Sequence, residues 1–383
     1  MKKIILLLLF ILNLYSSTHY ETSKTCKGCH PTIYGEFYES AHRKSSIFED
    51  DIHKAIWKLH PQKAKNKYSC NECHTPSDVR ITNALANELD AVPQENTVQK
   101  EEAISCVYCH SITDIKKHAS PYDESVLTKE KKMIYAANKN NRDGKIMFKE
   151  ESSFFGLLKK TSGSPFHNID YSNKGFYTGQ MCMGCHAHFE NEHGQNVCTV
   201  ENAGASNEEK NCITCHMPQV KGSATTIKIT KKHTYHGFAG SRNKPEMLAK
   251  YLVFDFKQTA TGFNVTLQNK ATHNLLLHPL RLGKLNIRVN TKQLKSTPFM
   301  RILGANNKPA MPWAATGIYK DTMLKAGEVR TINYEVDIKS GDIVEVEFGF
   351  YLVNPKMIKK LKLQDSKEAT QFKILKTEFY TIK

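Results

Sequence analysis

Ten of the eleven cysteines in this 383-residue chain fall into five identical CxxCH units. They are Cys26, Cys29 and His30; Cys70, Cys73 and His74; Cys106, Cys109 and His110; Cys182, Cys185 and His186; Cys212, Cys215 and His216. The spacing has a chemical reason. Two thiols three residues apart reach both vinyl groups on one edge of a porphyrin. The adjacent histidine then brings its imidazole under the iron as proximal ligand. Structural zinc on CxxC pairs has no need of a histidine after every pair. Disulfide frameworks do not set their cysteines in five identical short loops, and iron–sulfur spacing lacks the histidine. The five units therefore predict five covalent c-type haems with their irons. Cys198 is left over, and its bland reading is a small buried hydrophobe.

Seventeen histidines minus the five proximal ones leaves twelve. Ten of these precede residue 240, enough for every iron to gain a second imidazole. Such ligation suits a low-spin iron that only passes electrons. Met181, Met183 and Met217 stand beside the units but read as packing. PTIYGEFYESAHRK predicts a helix over residues 31–44, opened by proline. His42 lies twelve residues beyond His30, about 18 Å along such a helix. That is too far for one iron, so His42 is expected to cap a different haem. His53 and His60 share a helix face, with His60 taken as the ligand. His118, His167, His188, His193, His233 and His236 are the other candidates, with His118, His167 and His236 preferred. His19, His273 and His278 read as surface or structural.

The chain opens MKKIILLLLFILNLYSS: Lys2 and Lys3, an apolar run from Ile4 to Leu14, then Ser16 and Ser17. This layout predicts a secretory signal peptide over residues 1–17, removed or retained as an anchor, and a periplasmic product. The net charge of +16 would suit an acidic partner or a nucleic acid. Haem propionates change the arithmetic. Removing Lys2 and Lys3 leaves +14, and five haems add about −5 oxidised or −10 reduced, giving roughly +4 to +9. No concentrated Lys/Arg tract is present, so nucleic-acid binding is not expected.

Residues 18–245 carry all five units, about 45 residues for each. Porphyrin faces, rather than an apolar core, must organise this α-helical and irregular multihaem cytochrome c domain. Asp143-Gly144 predicts a tight hairpin. Asn141, Asp143, Gly144 and Glu150 partly mimic a calcium loop, but Lys139 occupies the first ligand position. From residue 246 to 383 there is no cysteine. YLVFDFK, GFNVTLQN, KLNIRVN, VRTINYEV, DIVEVEFGFYLV and FKILKTEFYTI alternate with period two. They predict an antiparallel β-sandwich-like domain that packs or docks and does not itself bind haem.

CKGCHPTIYGEFYESAH, with Ser40 and His42 as its Ser-x-His, resembles the first haem segment of multihaem cytochromes related to hydroxylamine oxidoreductase and to the tetrahaem cytochrome of nitrifying bacteria. SPFHN through MCMGCHAHFENEHGQNVCTV is similar to the same group. So are CITCHMP, HGFAG and, in the β region, KDTMLKAGEVR. The resemblance implies a periplasmic redox protein with stacked haem pairs and mostly bis-histidine irons, and it favours His42, His167 and His236 as distal ligands. The chain lacks the CxxCK unit of pentahaem nitrite reductases and the eight haems of hydroxylamine oxidoreductases. The expectation is electron transfer between a membrane quinol dehydrogenase or cytochrome and a terminal reductase. The alternative is an oxidoreductase acting on a small nitrogen or sulfur compound at one five-coordinate haem.

Overall fold

The structure, a computed structural model, describes residues 22–115, 119–121, 132–153, 158–186, 190–197, 200 and 207–383. The expected signal peptide, His19, His118, His188 and Cys198 lie outside the described residues.

The cysteine-bearing part is short helices joined by irregular chain. The helix Pro31–Tyr38 begins at its proline but stops six residues before the expected end. Arg43 explains the stop: its Nε donates to the Tyr38 carbonyl (2.9 Å), and its backbone N–H donates to Ser40 Oγ (3.2 Å). His42 therefore sits in a turn, not on a helix. The helix Asp51–Leu59 is capped by Asp50, which accepts from the backbone N–H groups of Ile52 and His53. Strand His167–Asp170 pairs in parallel with Lys132–Tyr135 and antiparallel with Lys145–Ile146. The hairpin expected at Asp143-Gly144 does not form. The two segments flanking it, Lys132–Tyr135 and Lys145–Ile146, both pair with His167–Asp170, so the turn joins strands that are not neighbours.

All six alternating segments form antiparallel strands: Leu252–Thr259, Gly262–Asn269, Leu282–Val289, Val329–Glu335, Ile343–Tyr351 and Lys373–Thr381. One sheet has the order Leu252–Thr259, Gly262–Asn269, Val329–Glu335. In the other, Ile343–Tyr351 lies between Leu282–Val289 and Lys373–Thr381. Alternate residues meet in an apolar core around Phe263, Leu285, Ile287, Phe299, Val346 and Phe348.

Apolar burial is uneven. Among the described residues the large core belongs to the β region, whereas the cysteine-bearing region has small clusters, such as Trp57 with Tyr68 and Ile81, or Ile104 with Tyr108 and Ile112. So little apolar contact does not by itself offset the chain entropy of more than two hundred residues. The two regions are also stitched together. Ile52 and Ala55 reach into the β core. Arg242 pairs with Asp50 and with Glu368, both at 2.8 Å, tying the cap of the helix Asp51–Leu59 to the β region.

Candidate haem-binding site

Each CxxCH unit folds as one helical turn. Ser105 caps Cys106–His110, and Asn211 caps Cys212–His216, its own backbone N–H donating in return to Thr214 Oγ1. In the first two units the same turn is closed by His30 N to Cys26 O and His74 N to Cys70 O, both 2.9 Å. Residues three apart share a helix face, so both thiols point the same way and the histidine follows beneath them. Gly179, at φ +77°, leaves room for the fifth unit: a Cβ there would stand 3.0 Å from Cys212 Cβ.

The units are neighbours in space. Cys26 and Cys106, Cys73 and Cys185, and Cys182 and Cys212 bring their thiols within hydrogen-bonding reach. Before haem attachment, the neighbouring thiol, then burial, raises the pKa of Cys73, Cys106 and Cys182. The first unit thus abuts the third, the second abuts the fourth, and the fourth abuts the fifth.

Four proximal histidines face a second imidazole. Ring centroids of His30 and His167 are 6.4 Å apart, those of His42 and His186 6.2 Å, those of His110 and His236 6.2 Å, and those of His216 and His273 6.0 Å. A metal–imidazole bond is about 2 Å long, and the ring centre lies roughly 1 Å further, so an iron between two rings sets their centres about 6 Å apart. The spacing is repeated four times, from four different stretches of backbone.

Hydrogen bonds fix the tautomers. Nδ1–H of His30 donates to the Ala224 carbonyl (2.7 Å), that of His110 to Tyr135 (2.7 Å) and that of His216 to Ala239 (2.6 Å). On the opposing side, His236 donates to Thr234 (2.6 Å) and His273 to Asn274 (2.9 Å). A carbonyl only accepts, so each ring keeps its proton on Nδ1 and turns a lone pair outward on Nε2, as a metal ligand requires. Burial pulls His42 down to about 3, and His186 and His236 to about 4, keeping them neutral. Among the described residues, His42 Nδ1 is buried with no hydrogen-bond partner. Such an atom is costly unless something outside the chain engages the ring. The donor set, the gaps and the missing apolar core all fit c-type haem.

Other candidates fall elsewhere. His60, expected as a ligand, is not paired with a proximal imidazole among the described residues. Its Nδ1 accepts from Gln62 N–H (3.3 Å) as a helix cap, and its ring packs between Trp57 and Trp313. His233 spends both nitrogens, on Glu36 (2.9 Å) and the Gly222 carbonyl (3.0 Å). His193 is exposed. His273, expected at the surface, instead opposes His216, and nothing local in its sequence, ATHNLLLHP, announces that.

The comparisons agree with this geometry at the level of fold. A family model described as "Cytochrome c554 and c-prime" matches residues 25–111, a stretch holding three of the five units. No curated protein matches the sequence. Among solved structures, a penta-heme cytochrome c552 from Thermochromatium tepidum superposes with a TM-score of 0.69 at 22% identity, covering 95% of this chain and 100% of that one. The chain folds as a multihaem c-type cytochrome followed by a region of antiparallel sheets.

Proposed function

We propose that the protein carries electrons through five covalently bound haems outside the cytoplasm, between a quinol dehydrogenase or cytochrome and a terminal reductase. A c-type haem supplies a one-electron iron couple. The observation that carries the reading is the set of imidazole pairs at iron-sized separation. An iron held by two imidazoles has no position left for substrate, and neutral buried rings resist protonation that would release it. The abutting attachment units would bring the first haem beside the third, and the fourth beside both the second and the fifth. Among the described residues no helix is long and apolar enough to cross a membrane, so membrane contact goes through a partner or an uncleaved signal segment.

A docking surface supports the reading. Ile227 and Ile229 are 68% and 76% exposed. Lys27, Lys221, Lys228, Lys231 and Lys232 are also exposed. Thr226 N–H donates to the Cys29 carbonyl (2.9 Å), which pins this stretch beside the first haem unit. An apolar centre with a basic surround suits transient contact with an acidic redox protein.

One observation favours a second reading, in which the haem on Cys70 and Cys73 binds a small nitrogen or sulfur compound. His53 packs on His74 at 4.1 Å, too close to leave room for an iron between them. His278 accepts a hydrogen bond at Nδ1 from Leu280 N–H (3.2 Å), so its proton is on Nε2.

Potentiometric titration of the purified holoprotein, followed in the visible bands, tests the main reading. Five one-electron steps without added substrate are expected. Fewer than five electrons, or sustained turnover of nitrite or hydroxylamine, contradicts it. Binding of one carbon monoxide per reduced protein supports the second reading.

A further inference from the structure

We infer that the C-terminal β region is part of the haem chain itself: His273, on the loop between strands Gly262–Asn269 and Leu282–Val289, is the sixth ligand of the iron carried by Cys212 and Cys215. The inference rests on haem attachment at the fifth unit and adds where its distal ligand comes from.

The geometry at this pair matches the others. The rings of His216 and His273 are 6.0 Å apart and 16° from parallel. Both donate Nδ1–H to backbone carbonyls, leaving Nε2 free on the two facing rings.

The β region holds His273 rigidly. Asn269 is 1% exposed and acts as a hub: its side-chain amide donates to the carbonyls of His273 (3.0 Å), Leu324 (3.2 Å) and Lys325 (3.0 Å). Leu275 N–H donates to the Leu324 carbonyl (2.9 Å), and Ala326 N–H to Asn274 Oδ1 (3.1 Å). A loop sutured on both sides of one histidine is built to present that side chain. Contacts run the other way as well. The Tyr251 hydroxyl reaches the Cys215 thiol, and Lys210 Nζ donates to the Lys270 carbonyl.

The same loop carries a contrasting histidine. His278 uses Nδ1 as an acceptor and so turns a proton, not a lone pair, outward from Nε2. Two histidines five residues apart are thus prepared for different work, and only His273 is prepared to bind a metal. A domain that supplies an axial ligand cannot swing away without changing that iron's spin state and potential.

The test is H273A in the mature holoprotein, with the exposed His193 replaced as H193A for control. Intact mass and haem count, unchanged from wild type, verify attachment independently of ligation. Electron paramagnetic resonance of oxidised H273A should then show high-spin iron increased by one haem per protein, with H193A unchanged. Added imidazole should return that haem to low spin. An unaltered low-spin census in folded, fully loaded H273A overturns the inference. Should H273A fail to accumulate, H273M is read instead. It should leave the high-spin content as in wild type, show one thioether-to-iron charge-transfer band and raise one potential. Loaded H273M without that band overturns the inference equally.

Discussion

The imidazoles of His42 and His186 face each other 6.2 Å apart with their planes crossed at 83°, almost perpendicular. The pairs His110–His236 and His216–His273 are close to parallel, at 21° and 16°. Crossed rings leave the iron d orbitals nearly degenerate, whereas parallel rings split them. One low-spin haem should therefore give a highly anisotropic resonance with a large leading g value, and at least two should give rhombic signals. Electron paramagnetic resonance of the oxidised protein checks this. Uniformly rhombic low-spin signals contradict the crossed pair.

Acidic side chains at Ile227 and Ile229 should slow reduction by an acidic protein donor such as reduced flavodoxin about tenfold or more, while reduction by dithionite stays unchanged. Stopped-flow kinetics at low salt reads both rates. Equal slowing of both donors, or of neither, removes this surface from the docking account.

Glu102 gives a pH dependence. It accepts from Ser23 N–H (2.8 Å) and from the Ser23 hydroxyl, which in turn accepts from Cys106 N–H. Burial is the largest influence and raises its pKa above the ordinary 4.5, against the lowering effect of the Ser23 bonds. A folded carboxyl that holds its proton more tightly than the unfolded chain contributes most below the unfolded value. That contribution is lost as pH rises through the raised folded value. The stability of wild type minus that of E102Q should thus fall as the pH rises above about 4.5. Denaturant unfolding across that range measures the difference, and a flat or rising trend contradicts the placement.

Phe348 is fully buried and meets Phe299 edge-on at 5.4 Å. F348A should cost about 3–5 kcal/mol in chemical unfolding of the β region. A cost under about 1 kcal/mol would mean that this core is not packed as described.

What sequence could and could not reveal follows from where each constraint is written. Covalent attachment is local chemistry, so Cys26 through His216 spell out the haem units without any fold. Period two is also local, and the six strands from Leu252 to Thr381 stand where the alternation puts them. Distal ligation is tertiary. The helix carrying His53 and His60 shows that the two share a face, but not what that face meets. One packs on His74 and the other caps a turn between two tryptophans. His273 was hidden for the same reason: it lies in a stretch without cysteines, and only the fold of the β region carries it to His216. The helix read through Lys44 ended early because Arg43 folds back onto Tyr38, a contact with no periodic signature.

The most direct test of the whole account is the intact mass of the mature protein, expressed in a host that matures c-type cytochromes. The account predicts the polypeptide plus five haems, falling to four when either Cys212 or Cys215 is replaced together with its partner. A mass equal to the bare polypeptide, or one indifferent to loss of that pair, would contradict it.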